Sequence, residues 1–107
     1  PIAGDFDGDG IDTIGVFRPS LNQWFLTNDT TVVSPPIDIV SFIGVNGDLP
    51  FAGDFNGDGR DTIGVWRPNT TEFFLTDDNV NIRPPFLFGN NFTDQPIIGD
   101  WDGRPLP

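Results

Sequence analysis

Asp5, Asp7 and Asp9 stand at alternate positions in Gly4-Asp5-Phe6-Asp7-Gly8-Asp9-Gly10-Ile11-Asp12-Thr13. Asp54, Asn56 and Asp58 repeat the arrangement 49 residues on, in Gly53-Asp54-Phe55-Asn56-Gly57-Asp58-Gly59-Arg60-Asp61-Thr62. Acidic or amide side chains at every second residue of a glycine-rich turn aim hard oxygens at one centre. That donor set suits Ca²⁺, which takes about 6–8 oxygen ligands and tolerates irregular geometry. Asp and Gly also dominate turns that hold no metal, but two copies in register favour the metal reading. An EF-hand is disfavoured, because the Glu it needs at its twelfth position falls on Val16 and Val65. A phosphate cradle is disfavoured too: clustered carboxylates repel phosphate, and no Lys follows.

The composition narrows the chemistry further. The 107-residue chain has 16 acids against five arginines, a net charge of −11, and no His or Cys. Disulfides, zinc–thiolate sites and cysteine nucleophiles are thereby excluded, and the commonest general base and transition-metal ligand is missing. An acidic surface without a basic patch repels nucleic acid. The apolar runs are too short to span a membrane as a helix. No signal peptide precedes Pro1, which fits a mature chain or an internal fragment.

The elements that must hold these loops read as short strands. Strands are expected over 1–6, 13–18, 23–27 and 37–43, then near 50–55, 61–67, 72–76 and 86–88, with a ninth over 96–101. Gly, Pro, Asn and Asp clusters separate them. No long segment shows 3.6-residue periodicity free of Gly and Pro, so no helix is expected. The repeats span 1–49, 50–95 and the opening of a third over 96–107. Four strands per repeat at this period predict an all-β chain of two four-stranded antiparallel propeller-type blades and the first strand of a third, within a larger assembly. Both alternating sets of Ile37–Ile43 are largely apolar, as a sheet covered on both faces requires. Gly4, Gly53 and Gly99 in the first strands would let backbones crowd near a propeller axis.

The segments GDFDGDGIDTIGVFRP and GDFNGDGRDTIGVWRP resemble FG-GAP/VCBS-type repeats, the calcium-loop propeller blades of secreted bacterial proteins and, more distantly, the integrin α-subunit head. The resemblance covers essentially the whole chain. It implies that Asp5, Asp7 and Asp9 give side-chain oxygens and Ile11 its carbonyl, with Asp54, Asn56, Asp58 and Arg60 in the same roles. The family usually has a further Asp where Thr13 and Thr62 stand, with Asp12 and Asp61 one position earlier. The last ligand would be Thr, water or the neighbouring Asp. The first loop, with three carboxylates, should bind calcium more tightly than the second. The third should be weaker or empty, since Arg104 replaces its third acid.

The expected function is a non-enzymatic, extracellular, calcium-stabilised module with a structural or adhesive role. Its partners would be further copies of the repeat, in the same chain or head to tail in a ring or filament. The alternative is a lectin-like propeller that stacks glycans or peptides on Phe17, Trp24, Phe25, Trp66, Phe73, Phe74 or Trp101; matched strand aromatics are more often packing core. A glycoside hydrolase would need two convergent carboxylates outside the loops. Arg18 and Arg67, each ahead of a proline, are expected to pair with structural acids. Asn28, Asn69 and Asn91 head N-x-[ST] sequons, which imply glycosylation in a secreted protein.

Overall fold

The computed structural model describes residues 1–29, 39–41, 43–90 and 94–99. These residues form eight strands and no helix: β1 (Ile2–Gly4), β2 (Thr13–Arg18), β3 (Gln23–Leu26), β4 (Ile39–Ser41), β5 (Leu49–Gly53), β6 (Thr62–Arg67), β7 (Glu72–Leu75) and β8 (Phe86–Leu87). They make two antiparallel meanders, ordered β1-β2-β3-β4 and β5-β6-β7-β8. All eight fall inside or within one residue of the segments read from sequence, and most are shorter. The ninth expected strand is the exception. Residues 94–99 pair with no strand among the described residues, and the rest of that segment lies outside them. A strand exists only where a neighbour receives its N–H and C=O groups, and Pro96 has no N–H to donate. The apolar faces of residues 37–42 and the Trp101 region likewise lie outside the described side chains.

Both sheets keep one register. Ala3 sits opposite Ile14, and Val16 opposite Phe25. Ala52 sits opposite Ile63, and Val65 opposite Phe74, at the same points of the second sheet. Because side chains alternate along a strand, each sheet has a front carrying Ile2, Trp24 and Leu26, or Phe51, Phe73 and Leu75. The back carries the pairs just named. The sheets stack front to back without closing into a ring. Ile63 and Val65 from the back of the second sheet are buried in one core with Ile2, Phe6, Trp24, Leu26 and Ile43, and Ala52 and Phe74 pack against it. A smaller core on the front of the second sheet holds Phe51, Trp66 and Leu75.

Each sheet is pinned by one tryptophan, at alternating sites. Phe17 pairs with Trp24 on the first sheet and Trp66 with Phe73 on the second, ring centroids 4.7 and 6.1 Å apart. The Trp24 indole donates to the Ile43 carbonyl at 2.7 Å and Trp66 to that of Phe88 at 3.2 Å. A buried indole N–H needs such a partner, so each ring also ties down the exit segment of its meander. Arg67 meets Asp48 through Nε and Nη2, both at 3.0 Å, and lies over the Phe74 ring at 4.4 Å. This is the structural acid expected for Arg67. Hydrogen bonding to Asp48, reinforced by its charge against some opposing desolvation, raises the guanidinium above its ordinary pKa. Arg18 stacks on Phe25 and reaches Gln23, but makes no ion pair among the described residues.

The β2–β3 and β6–β7 hairpins turn through Asn22 and Thr71, at φ of 51° and 56°. Asparagine tolerates this left-handed backbone, whereas a β-branched residue is strained in it. Thr71→Asn, copying the first hairpin, is expected to raise stability by about 1 kcal/mol, read as a higher urea midpoint. An unchanged midpoint would show that the second turn carries no such strain.

Candidate metal-binding loops at the joint between the sheets

The loops after β1 and β5 are built by one set of hydrogen bonds. Asp5 Oδ1 accepts the N–H groups of Gly8 and Asp9 at 2.8 and 3.1 Å, and Oδ2 accepts that of Gly10 at 2.8 Å. Asp54 accepts from Gly57, Asp58 and Gly59 at 2.8, 3.1 and 2.9 Å. Asp7 Oδ1 and Asn56 Oδ1 accept from the residue two ahead at 3.1 and 3.2 Å, and Asp9 and Asp58 do so at 2.8 Å. Gly8, Gly10, Gly57 and Gly59 all have φ between 75° and 88°. Only glycine takes that backbone freely, so the spacing of Gly and Asp is one device: the glycines curl the chain and the aspartates collect its amides.

In the first loop, Asp5, Asp7 and Asp9 each offer a carboxylate oxygen, and these lie within 4.8 Å of one another. For Asp5, desolvation is the largest single influence and raises the pKa, but the three backbone N–H bonds and the Asp7 contact outweigh it and hold the carboxyl below its ordinary value. Asp7 moves the other way: the Asp9 N–H lowers it, but desolvation, the like charge of Asp9 and side-chain hydrogen bonding with Asp9 and Asp5 outweigh that bond. Carboxylates that repel one another around an exposed point are an arrangement a divalent cation relieves. The second loop substitutes the neutral Asn56 and crowds less charge.

The other residues drawn in by the resemblance have distinct placements. Ile11 and Arg60 are exposed, with their N–H groups on Asp9 and Asp58. Thr13 and Thr62 are buried, and their hydroxyls donate to the carbonyls of Gly4 and Thr76. Of the alternatives for the last ligand, both Thr hydroxyls thus already have backbone carbonyl partners. Asp61 has one too, in the neighbouring repeat. Its Oδ2 accepts the Asp5 N–H at 2.8 Å, and its own N–H donates to the Asp5 carbonyl at 2.7 Å. The Arg60 stem lies over Gly8, where a Cβ would come within 2.9 Å of its Cγ. The first loop therefore sits at the joint between sheets, clasped by the residues that follow the second loop.

That clasp also explains Gly4. A side chain there would come 2.9 Å from Asp61 Oδ2, so the crowding involves the next repeat's carboxylate. Sequence reasoning missed Asp61 as a connector, and its signal was the acid standing one position ahead of Thr62, as Asp12 does ahead of Thr13. Desolvation, and then the charges of Asp12, Asp5 and Asp54, raise the Asp61 pKa, although its bond from the Asp5 N–H opposes them. Asp61→Asn keeps an acceptor for that N–H and removes the repulsion. In chelator it is expected to leave stability equal or higher, by up to about 1 kcal/mol, with a smaller gain in calcium. A loss of 2 kcal/mol or more, on the order of a lost charged bond, would show that the joint needs the charge itself.

Compared with protein-family models, curated proteins and solved structures, the chain matches none. No helix among the described residues is long and apolar enough to cross a membrane.

Proposed function

We propose that this chain is a non-enzymatic, calcium-stabilised β-repeat module with a structural or adhesive role outside the cell. Its two meanders are blades of the propeller type that FG-GAP/VCBS repeats form, and it works within a larger array of such blades. The observation that carries the reading is the pair of Asp/Gly loops built by the same hydrogen bonds, the first with three carboxylates converging within 4.8 Å. A plain turn needs only the acceptors that collect amides; a cluster of like charges at its tip adds repulsion that calcium would remove. The first loop is also where the two sheets meet, so an ion there would stiffen the joint as well as the turn.

Thermal unfolding in chelator and in calcium tests this. With dissociation constants on the order of 10⁻⁴–10⁻³ M, as in extracellular calcium modules, each occupied loop adds about 1.4–2.7 kcal/mol at about 10 mM calcium. The midpoint should rise by several degrees or more, and magnesium, which demands near-octahedral geometry, should do much less. A midpoint that ignores calcium would remove the metal from the account.

Three sequons support the extracellular assignment. Asn69 is exposed on the β6–β7 hairpin, Asn28 is half-buried, and Asn91 lies outside the described residues. Thr71, held in the left-handed region at φ 56°, is also the hydroxyl residue of the Asn69 sequon. Acceptance of a sugar there gives a reason for the strained threonine. Mass spectrometry of native secreted material should find the glycan.

A lectin-like role remains the runner-up, favoured by the edge at Phe86, Leu87 and Phe88, where Phe88 is 74% exposed. Among the described residues both tryptophans, Trp24 and Trp66, are buried, which favours the scaffold.

A further inference from the structure

Two stretches of nearly identical sequence, Thr13-Ile14-Gly15-Val16-Phe17-Arg18 and Thr62-Ile63-Gly64-Val65-Trp66-Arg67, have opposite surroundings. Ile63 and Val65 are 0% and 1% exposed against the front of the first sheet, whereas Ile14 and Val16 are 56% and 49% exposed. Ala3 is exposed where Ala52 is half-buried, and Asp12 is exposed where Asp61 clasps Asp5. The back of the first sheet is thus an uncovered copy of a surface that the same molecule buries in its own interior.

Part of the receiving surface is duplicated as well. Beside Gly44, whose added Cβ would lie 3.4 Å from both Asp48 Oδ2 and Val65 Cγ1, Val65 fills the space on the first sheet. Gly89 is the matching point on the second sheet: a Cβ there would lie 3.2 Å from Asp94 Oδ2, and both glycines have positive φ, 109° and 96°. No valine comes to it. Instead a pocket of about 510 Å³ opens there, lined by Trp66, Phe73, Phe88, Asp94 and Ile97 among others. Asp94 Oδ2 accepts the Asn90 N–H at 2.6 Å much as Asp48 Oδ2 accepts that of Val45 at 2.9 Å. Asp48, however, also holds Arg67, and Asp94 makes no ion pair among the described residues.

We infer that a second copy of this chain docks the back of its first sheet onto the front of the second sheet, beside residues 94–99. Val16 of the incoming copy enters the pocket as Val65 meets Gly44, and Ile14 follows it. Arg18 of the incoming copy pairs with Asp94 as Arg67 pairs with Asp48. Asp12 has no matching place, because Ile98 already lies over Gly53, where an added Cβ would meet its Cγ2 at 2.7 Å. The occupant is a second copy because the incoming Ile14, Val16 and Arg18 repeat Ile63, Val65 and Arg67, and the receiving Gly89 and Asp94 repeat Gly44 and Asp48. The contact is head to tail, so it propagates into a ring or a filament. This deepens the array proposed above and does not depend on its calcium.

Sedimentation velocity over a concentration series, with circular dichroism to confirm folding, is the test. The 107-residue chain should self-associate. Val16→Asp should raise the dissociation constant by at least about tenfold, since it places a charge in a packed hot spot. Arg18→Asp and Asp94→Arg should each weaken association, and mixing the two variants should restore it, with charge-reversed and wild-type contacts alternating along the assembly. A wild-type chain that stays monomeric, or a folded Val16→Asp variant that associates as wild type does, would overturn the proposal. So would a mixture of the two charge variants that remains monomeric. Runs in calcium and in chelator separate the two ideas: association without calcium dependence leaves this interface standing and removes only the metal. Calcium binding by a monomer does the reverse.

Discussion

Trp24→Ala is expected to cost about 3–5 kcal/mol, a large share of the roughly 5–15 kcal/mol that holds a domain of this size together. The ring is fully buried, in the one core that both sheets share with Ile2, Leu26, Ile63 and Val65. Its removal leaves a cavity at that contact and strips the Ile43 carbonyl of the indole N–H it receives at 2.7 Å. Loss of cooperative unfolding in urea, or a midpoint lowered by the corresponding amount, is the expected readout. Trp24→Phe should cost less, and pairing it with Phe17→Trp should recover part of the loss. That exchange gives the first sheet the order the second already uses, with Trp66 opposite Phe73. If the double variant is no better than the single, the two sheets do not pack their aromatic pairs equivalently.

Asp48→Ala is expected to cost about 2–3 kcal/mol, less than the roughly 3–5 kcal/mol for breaking a fully buried pair. The Asp48 side chain is almost fully buried, while that of Arg67 keeps a quarter of its surface in water, and partial exposure of the surviving cation reduces the loss. Asp48 also accepts the Val45 N–H at 2.9 Å, so its removal loosens the turn ahead of β5 as well. Arg67 would keep its place over Phe74, because that contact is with the ring face. Arg18→Ala, with no acid to lose in the single chain, should cost well under 1 kcal/mol, as surface substitutions do. Equal losses from the two replacements would contradict this difference between the repeats.

The all-β, antiparallel layout of the strands was legible because its signals are local. Alternating apolar residues between Gly, Pro and Asp punctuation mark every strand that forms, and the 49-residue offset carries Thr13-Ile14-Gly15-Val16 onto Thr62-Ile63-Gly64-Val65. The amide-collecting aspartates were legible too, since side chains two to five residues from their partners are fixed by the turn itself. What was not legible depends on contacts between repeats. No local feature tells Ile14 from Ile63, although one is exposed and the other buried. Nothing near Arg67 in the sequence names Asp48, and nothing near Asp5 names Asp61, 56 residues away. The over-extended ninth strand has the same cause: Pro96-Ile97-Ile98-Gly99 has the pattern of a strand, but among the described residues no strand pairs with it.

Calcium titrated calorimetrically into chelator-treated protein tests the central claim most directly. The wild-type chain should show two binding events with dissociation constants on the order of 10⁻⁴–10⁻³ M. Asp9→Ala should abolish the tighter and Asp58→Ala the weaker, while the thermal midpoint in chelator changes far less than the midpoint in calcium. No calcium-dependent heat from the wild-type chain, or the same heat after both replacements together, would contradict the account.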